Sequence, residues 1–163
     1  MAQSKLYSDK FLRHILATNQ KIASIGVSLN PIRPSYYVVR YLILQGFTIF
    51  PVNPLYAGKF LFGRKVYANL SEIEEPVDMV QIFRKSEVVP EILESAIQNL
   101  HDLKTIWMQI GVMHEEAAAK ARKHGLNVVQ NLCPKMEYQR FTGELGKYGV
   151  NTGFISSRLQ ILQ

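Results

Sequence analysis

The strongest constraint on this chain is a regular alternation of short apolar runs with amphipathic segments. Residues 21–27 (KIASIGV) form a β-rich run with a glycine near its end. Residues 35–45 (SYYVVRYLILQ) follow with apolar side chains at helical spacing and are closed by Gly46. This succession predicts a strand, a turn and a helix, the unit from which α/β proteins are built.

The rest of the chain continues the alternation. We predict further strands at residues 47–52, 76–83, 105–109 and 126–130, and further helices at residues 88–100 and 115–124. The strands are largely apolar, which is typical of a parallel sheet covered on both faces. The sequence therefore predicts a Rossmann-like, doubly wound sheet of about five parallel strands with helices on both faces.

The domain organisation follows from the same pattern. We expect a core domain over residues 21–138, an N-terminal helical or flexible extension over residues 1–20, and a C-terminal tail over residues 139–163. The tail has four glycines and no clean period, so we expect partial order or packing against a homo-oligomer neighbour or another protein. Residues 53–73 contain no full-length helix, and a loop of this length inside a domain is usually functional.

Cysteine content and hydropathy indicate the compartment. The chain has a single cysteine, Cys133, which excludes an internal disulfide and a cysteine-rich zinc site. No apolar run approaches the roughly 18 residues that a membrane span needs. We therefore expect a cytoplasmic protein without a membrane segment. The basic residues among the first twenty leave an organellar presequence as the alternative.

The positive charge lies in the first half of the chain. Residues 1–71 carry nine Lys or Arg against one acid, a net +8, whereas the remainder carries ten against twelve, a net −2. The basic residues are scattered, with no run longer than two, so the pattern does not favour nucleic-acid binding. A small anionic ligand explains the asymmetry, and a solvated basic surface is the alternative.

The turn after the first strand carries groups that suit a phosphate. Ligands of open parallel sheets bind at the carboxyl ends of the strands. Gly26 permits close backbone approach, Ser28 offers a hydroxyl and Arg33 offers a bidentate charge. Pro34 and Ser35 begin a helix whose free N–H groups attract anions. The alternative is an ordinary turn and helix start.

Other strand ends offer further candidates. Gln109 and Gly111 leave the fourth strand and are predicted ligand neighbours. His114 opens the next helix, where capping explains it better than acid–base catalysis. Cys133 follows the fifth strand, and Lys135 beside it would favour a reactive thiolate able to exchange with a ligand thiol. The alternative for Cys133 is a packed core residue.

Several common motifs are absent from the sequence. There is no GxGxxG after the first strand, and the second strand ends in PVNP instead of the acid with which a nicotinamide enzyme commonly holds the adenosine ribose. There is also no GxxxxGK[ST] loop and no metal-ligand cluster. These absences count against an NAD(P)-dependent oxidoreductase, a P-loop phosphotransferase and a metalloenzyme.

The motifs that are present occur in a specific order: RPSY, PVNP, AGK, GRKVY, FRKS and CPK. Over about residues 21–138 the chain resembles the small stand-alone CoA-binding proteins. These are similar in fold to the CoA-binding domain of the succinyl-CoA synthetase α subunit. The resemblance implies that coenzyme A binds at the strand ends.

The resemblance also implies roles for individual positions. The diphosphate would be held by the first turn, at Gly26, Ser28, Arg33 and Ser35. The adenosine would be flanked by Pro51, Asn53 and Pro54, and a phosphate would be reached by Lys59. The adenine and pantetheine path would be lined by Ile82, Phe83 and Arg84.

The predicted function is binding of CoA or an acyl-CoA by a sensor or accessory module without catalysis of its own. In the synthetase, acyl-CoA chemistry depends on a further domain and a partner subunit, for which this chain has no room. Two alternatives stay open: an NAD(P)-dependent oxidoreductase, and an interaction protein with a vestigial nucleotide site.

Overall fold

The computed structural model describes residues 6–142. Its strands are β1 (Lys21–Ile25), β2 (Thr48–Val52), β3 (Phe60–Leu61), β4 (Arg64–Lys65), β5 (Met79–Ile82), β6 (Thr105–Met108) and β7 (Asn127–Val129). Five of these strands form one parallel sheet in the order β2-β1-β5-β6-β7. The predicted fold class, a Rossmann-like α/β sheet of five parallel strands, is confirmed.

The helices are α1 (Asp9–Thr18), α2 (Pro34–Leu44), α3 (Val89–Asn99), α4 (Glu115–Lys123) and α5 (Pro134–Thr142). Local sequence sets where they begin. The Ser8 hydroxyl accepts from the Phe11 N–H at 3.1 Å and starts α1, and Pro34 occupies the first turn of α2. None of the described helices is both long enough and apolar enough to cross a membrane.

The helices cover the sheet on both faces because strand residues alternate in direction. Ala23, Val80 and Ile106 belong to one apolar cluster, together with residues of α3 and α4. Ile22 and Met79 belong to the other, together with residues of α1 and α2. Each central strand therefore contributes side chains to two cores.

The strand order fixes where a ligand can bind. From β1 the chain crosses through α2 to β2 on one side, and then returns past β1 to β5 on the other. The order therefore reverses between β1 and β5. A crevice opens outside the carboxyl ends of two such strands, because their connections leave in opposite directions.

The long segment after β2 is held against the sheet. β3 and β4 pair as a short antiparallel hairpin, and Val52 forms a parallel bridge with Tyr67. The Asn53 N–H donates to the Tyr67 carbonyl at 2.9 Å, and the Tyr67 N–H donates to the Pro51 carbonyl at 2.9 Å. These bonds hold residues 53–67 beside the end of β2.

The two terminal helices meet on one face. Arg140 of α5 forms an ion pair with Asp9 of α1 at 3.0 Å and with Glu137 at 2.9 Å. α5 continues past Tyr138, where the sequence placed the end of the core domain. Residues 143–163 of the predicted tail lie outside the described residues, so packing of that tail against a partner stays a prediction.

Candidate functional site

An open cavity of about 400 Å³ lies at the carboxyl ends of β1, β5 and β6. A volume of this size falls within the range of ligand pockets, about 300–1,000 Å³. The cavity sits at the position that the strand order predicts. It brings together eight of the predicted site residues: Gly26, Ser28, Arg33, Pro34, Ser35, Asn53, Phe83 and Gln109.

The turn between β1 and α2 is organised by two serine hydroxyls. The Ser28 N–H donates to the Ser35 hydroxyl at 2.9 Å, and the Asn30 N–H donates to the Ser28 hydroxyl at 3.0 Å. Each hydroxyl therefore accepts a bond within the turn, and its own hydrogen remains a donor. Arg33 stands at the N-cap of α2 without capping the helix through its side chain.

Gly26 is needed because Arg84 passes directly over it. Gly26 has a φ of +87°, and a Cβ at this position would lie 2.8 Å from Cδ of Arg84 and 3.2 Å from the Phe83 carbonyl oxygen. Both Arg33 and Arg84 are exposed, and neither takes part in an ion pair within residues 6–142. Arg33 in the cavity lining and Arg84 against Gly26 are therefore two guanidinium groups without an acidic partner in the described part of the chain.

Asn53 connects the second strand end to the phosphate turn. Its Nδ2 donates to the Val27 carbonyl at 2.7 Å, and its Oδ1 accepts from the Leu55 N–H at 3.0 Å. Both ends of the amide are thus used to hold loops in place. The predicted contact of Asn53 with the adenosine stays a prediction.

Six predicted residues lie outside the cavity lining. Pro51 and Ile82 are buried within β2 and β5, whereas Pro54 and Lys59 are exposed and lie outside the lining. Gly111 donates its N–H to Oδ1 of Asn131 at 2.7 Å, which fixes the loop after β6. Arg84, the sixth, lies against Gly26.

The two reactive candidates also lie off the lining. Cys133 is 5% exposed and belongs to the apolar core beneath α2. His114 caps α4, because its Nδ1 accepts from the Ala117 N–H at 3.1 Å. No group of three His, Cys, Asp or Glu that could hold a metal ion occurs in the described part of the chain.

Sequence reasoning missed the hydrocarbon and aromatic wall of the cavity, formed by Val27, Leu55, Tyr56, Ile110 and Val112. The signal was present, since Leu55 and Ile110 are large apolar residues just after strand ends. They remain 83% and 54% exposed. A cavity lined by an arginine and by an apolar wall suits a ligand with an anionic end and a less polar arm.

Known proteins are similar to this chain in sequence and in fold. Residues 20–139 match the CoA binding domain family. The YneT protein of Bacillus subtilis is 33% identical over 127 residues, covering 78% of this chain and 91% of YneT. The α subunit of ADP-forming acetate–CoA ligase I from Pyrococcus furiosus is 30% identical over 122 residues, covering 68% of this chain and 26% of that subunit.

A solved structure shows the same similarity. A hypothetical protein from Pyrococcus horikoshii has 34% identity and a TM-score of 0.78, covering 84% of this chain and 94% of that chain. Together with the sequence matches, it confirms the resemblance that the ordered motifs indicated.

Proposed function

Because this chain belongs to the family of CoA-binding domains, we propose that it binds coenzyme A or an acyl-CoA in the crevice at the ends of β1, β5 and β6. The observation that carries the proposal is the turn from Gly26 to Ser35. There, two hydroxyl donors, an unpaired arginine and the start of α2 surround one end of the cavity. Helix N-termini and guanidinium groups both bind phosphate oxygens.

Charge supports this assignment. Among the described residues that line the cavity, Arg33 is the charged side chain and none is acidic. CoA carries roughly four negative charges at neutral pH, on its diphosphate and its 3′-phosphate. We propose that Arg33 and Arg84 meet the diphosphate, and that exposed Lys59 lies within reach of a further phosphate. The thiol-bearing arm then follows the apolar wall beside Ile110 and Val112.

We further propose that the crevice binds without catalysing a reaction. The titratable side chains in its lining are Arg33 and Tyr56, and neither a carboxylate nor a histidine faces the ligand there. General acid–base chemistry needs such a group within hydrogen-bonding reach of the reacting atoms. A sensor, or an accessory module that presents CoA to another protein, fits this arrangement.

Calorimetric titration with CoA tests the proposal. A charge-assisted hydrogen bond contributes about 1.5–3 kcal/mol, so Arg33→Ala should weaken CoA binding by about 10- to 150-fold. Ser28→Ala should weaken it by about 2- to 12-fold, the effect of one neutral hydrogen bond. Arg40→Ala is the matched control, since Arg40 is an exposed arginine of α2, the helix that follows Arg33, but lies off the lining.

NADH serves as the competing ligand in the same titration. Tighter binding of NADH than of CoA would favour the oxidoreductase alternative. Wild-type protein that CoA does not stabilise thermally would contradict the proposal, because ligand at 100 times its Kd adds about 2.7 kcal/mol to the free energy of unfolding.

A further inference from the structure

Three polar side chains form a hydrogen-bonded row through the centre of the sheet. Ser24 lies in β1, Gln81 lies beside it in β5, and Gln109 follows β6. Ser24 and Gln81 are fully buried, and Gln109 is 7% exposed. The Ser24 hydroxyl donates to Gln81 Oε1 at 2.9 Å, and Gln81 Nε2 donates to Gln109 Oε1 at 3.3 Å.

The Ser24 hydroxyl determines how the two amide groups of this row are oriented. A buried hydroxyl hydrogen needs an acceptor, and among the described hydrogen bonds that of Ser24 has one acceptor, Gln81 Oε1. Gln81 must therefore turn its Nε2 toward Gln109. The Oε1 of Gln109 accepts that bond, which leaves the Nε2 of Gln109 at the end of the row.

The end of the row faces the cavity. Gln109 is part of the lining, and its Nε2 has no acceptor within residues 6–142. This nitrogen is also not sealed in the core, since the described buried side-chain atoms without partners are Asn19 Oδ1 and Gln139 Nε2. The backbone of Gln109 is fixed as well, because its N–H donates to Ile82 and its carbonyl accepts from Val112.

We propose that Ser24 and Gln81 are positioning residues that hold Gln109 as a hydrogen-bond donor, and that the group it binds is a carbonyl oxygen of the ligand. Without the row, the Gln109 amide could turn and present its oxygen equally well. With the row, that turn would break a hydrogen bond between buried groups and leave Gln81 unsatisfied.

The surroundings favour a neutral carbonyl over a phosphate. Gln109 lies two strands away from the phosphate turn, about 10 Å at the usual strand spacing. Its neighbours in the lining, Phe83, Ile110 and Val112, are apolar. The inference rests on the proposed function, under which the carbonyl belongs to an amide of the pantetheine arm or to the thioester of an acyl-CoA.

A double-mutant cycle tests the inference, with dissociation constants measured for CoA and for acetyl-CoA. Gln109→Met removes the donor with little change in shape, and we expect it to weaken binding by about 2- to 12-fold. Gln81→Met should weaken binding by a smaller factor in the wild-type background. It should have no effect in the Gln109→Met background, since Gln81 acts on the ligand through Gln109.

The two ligands identify the carbonyl. Equal weakening for CoA and acetyl-CoA assigns an amide of the arm, whereas weakening for acetyl-CoA alone assigns the thioester. Unchanged affinity of Gln109→Met for both ligands overturns the inference while leaving the proposed function intact. So does a Gln81→Met effect of the same size in both backgrounds. Wild-type protein that binds neither ligand overturns both.

A spectroscopic measurement on wild-type protein covers the case in which a variant does not fold. The side-chain amide signals of Gln109 in a ¹⁵N-labelled sample should shift when CoA or acetyl-CoA is added, and the amide protons should become more protected from exchange. The amide of Asn99 is the control, since it donates to Ser95 within α3, away from the cavity. Signals of Gln109 that do not move under saturating ligand overturn the inference.

Discussion

The contact between Gly26 and Arg84 yields a prediction in which stability and affinity separate. In Gly26→Ala the new methyl group imposes two costs. A non-glycine residue at a φ of +87° costs about 1–2 kcal/mol. The methyl group also lies 2.8 Å from Cδ of Arg84 and 3.0 Å from its Cγ, so the Arg84 side chain must move.

These two costs affect different measurements. The backbone strain should lower the melting temperature by about 2–8 °C, at 2–4 °C per kcal/mol for a domain of this size. The displacement of Arg84 adds little to this loss, because an exposed arginine side chain can rotate away, whereas the Phe83 carbonyl oxygen, 3.2 Å from the new methyl group, adds to it. The displacement of Arg84 should instead lower the affinity for CoA by about tenfold or more, the effect of losing a charged contact to phosphate.

Gly125→Ala is the matched control. Gly125 has a φ of +79°, and a Cβ there would meet nothing within 4 Å. It should therefore lose the stability that backbone strain alone costs and keep its affinity. Thermal unfolding followed by titration well below both melting temperatures measures the two quantities separately. If Gly26→Ala binds CoA as tightly as Gly125→Ala does, Arg84 has no part in binding and the reasoning fails.

Two further variants probe the connections around the site. Asn53→Ala should weaken CoA binding severalfold, because it breaks the bond to the Val27 carbonyl; Asn69→Ala, which loses a bond only within its own turn, should leave the titration unchanged. Arg140→Met should cost about 1–3 kcal/mol in denaturant unfolding, since it leaves the buried Glu137 carboxylate unpaired. Burial lowers the pKa of Arg140, but the hydrogen bonds and charges of Glu137 and Asp9 together outweigh it and raise that pKa above its ordinary value. The charge of Arg140, and the stabilisation that its ion pairs give, is therefore lost only at a pH above the ordinary pKa of arginine. The loss of stability in Arg140→Met should then be the same at about pH 6 and at about pH 9, and a difference between them would contradict this account.

Much of the fold follows from sequence because strands and helices are local. The differences come from single residues. The first strand ends at Ile25, two residues before its predicted end, because Gly26 takes a backbone conformation that a strand cannot continue. The third predicted strand begins at Met79, three residues after its predicted start, and just before it the Asp78 carboxylate accepts the N–H groups of Gln20 and Lys21.

The site was less predictable because its parts come from separate strands. Sequence position alone indicated Ser28 and Arg33, which follow a strand that was easy to recognise. It could not indicate that Ser24 and Gln81 lie side by side, since that depends on the register of β1 against β5. The amide of Asn53 likewise bonds to a carbonyl 26 residues earlier in the chain, so local pattern could not reveal its connecting role.

The meeting of α1 and α5 also bears on the order of folding. The ion pair between Asp9 and Arg140 closes a loop of about 130 residues, and the entropy cost of closing a loop grows with its length. During synthesis, α1 is made long before α5, so their ion pair forms only once Arg140 has been made. We expect α1 to dock last, so that its amide protons exchange with solvent before those of β1 and β5.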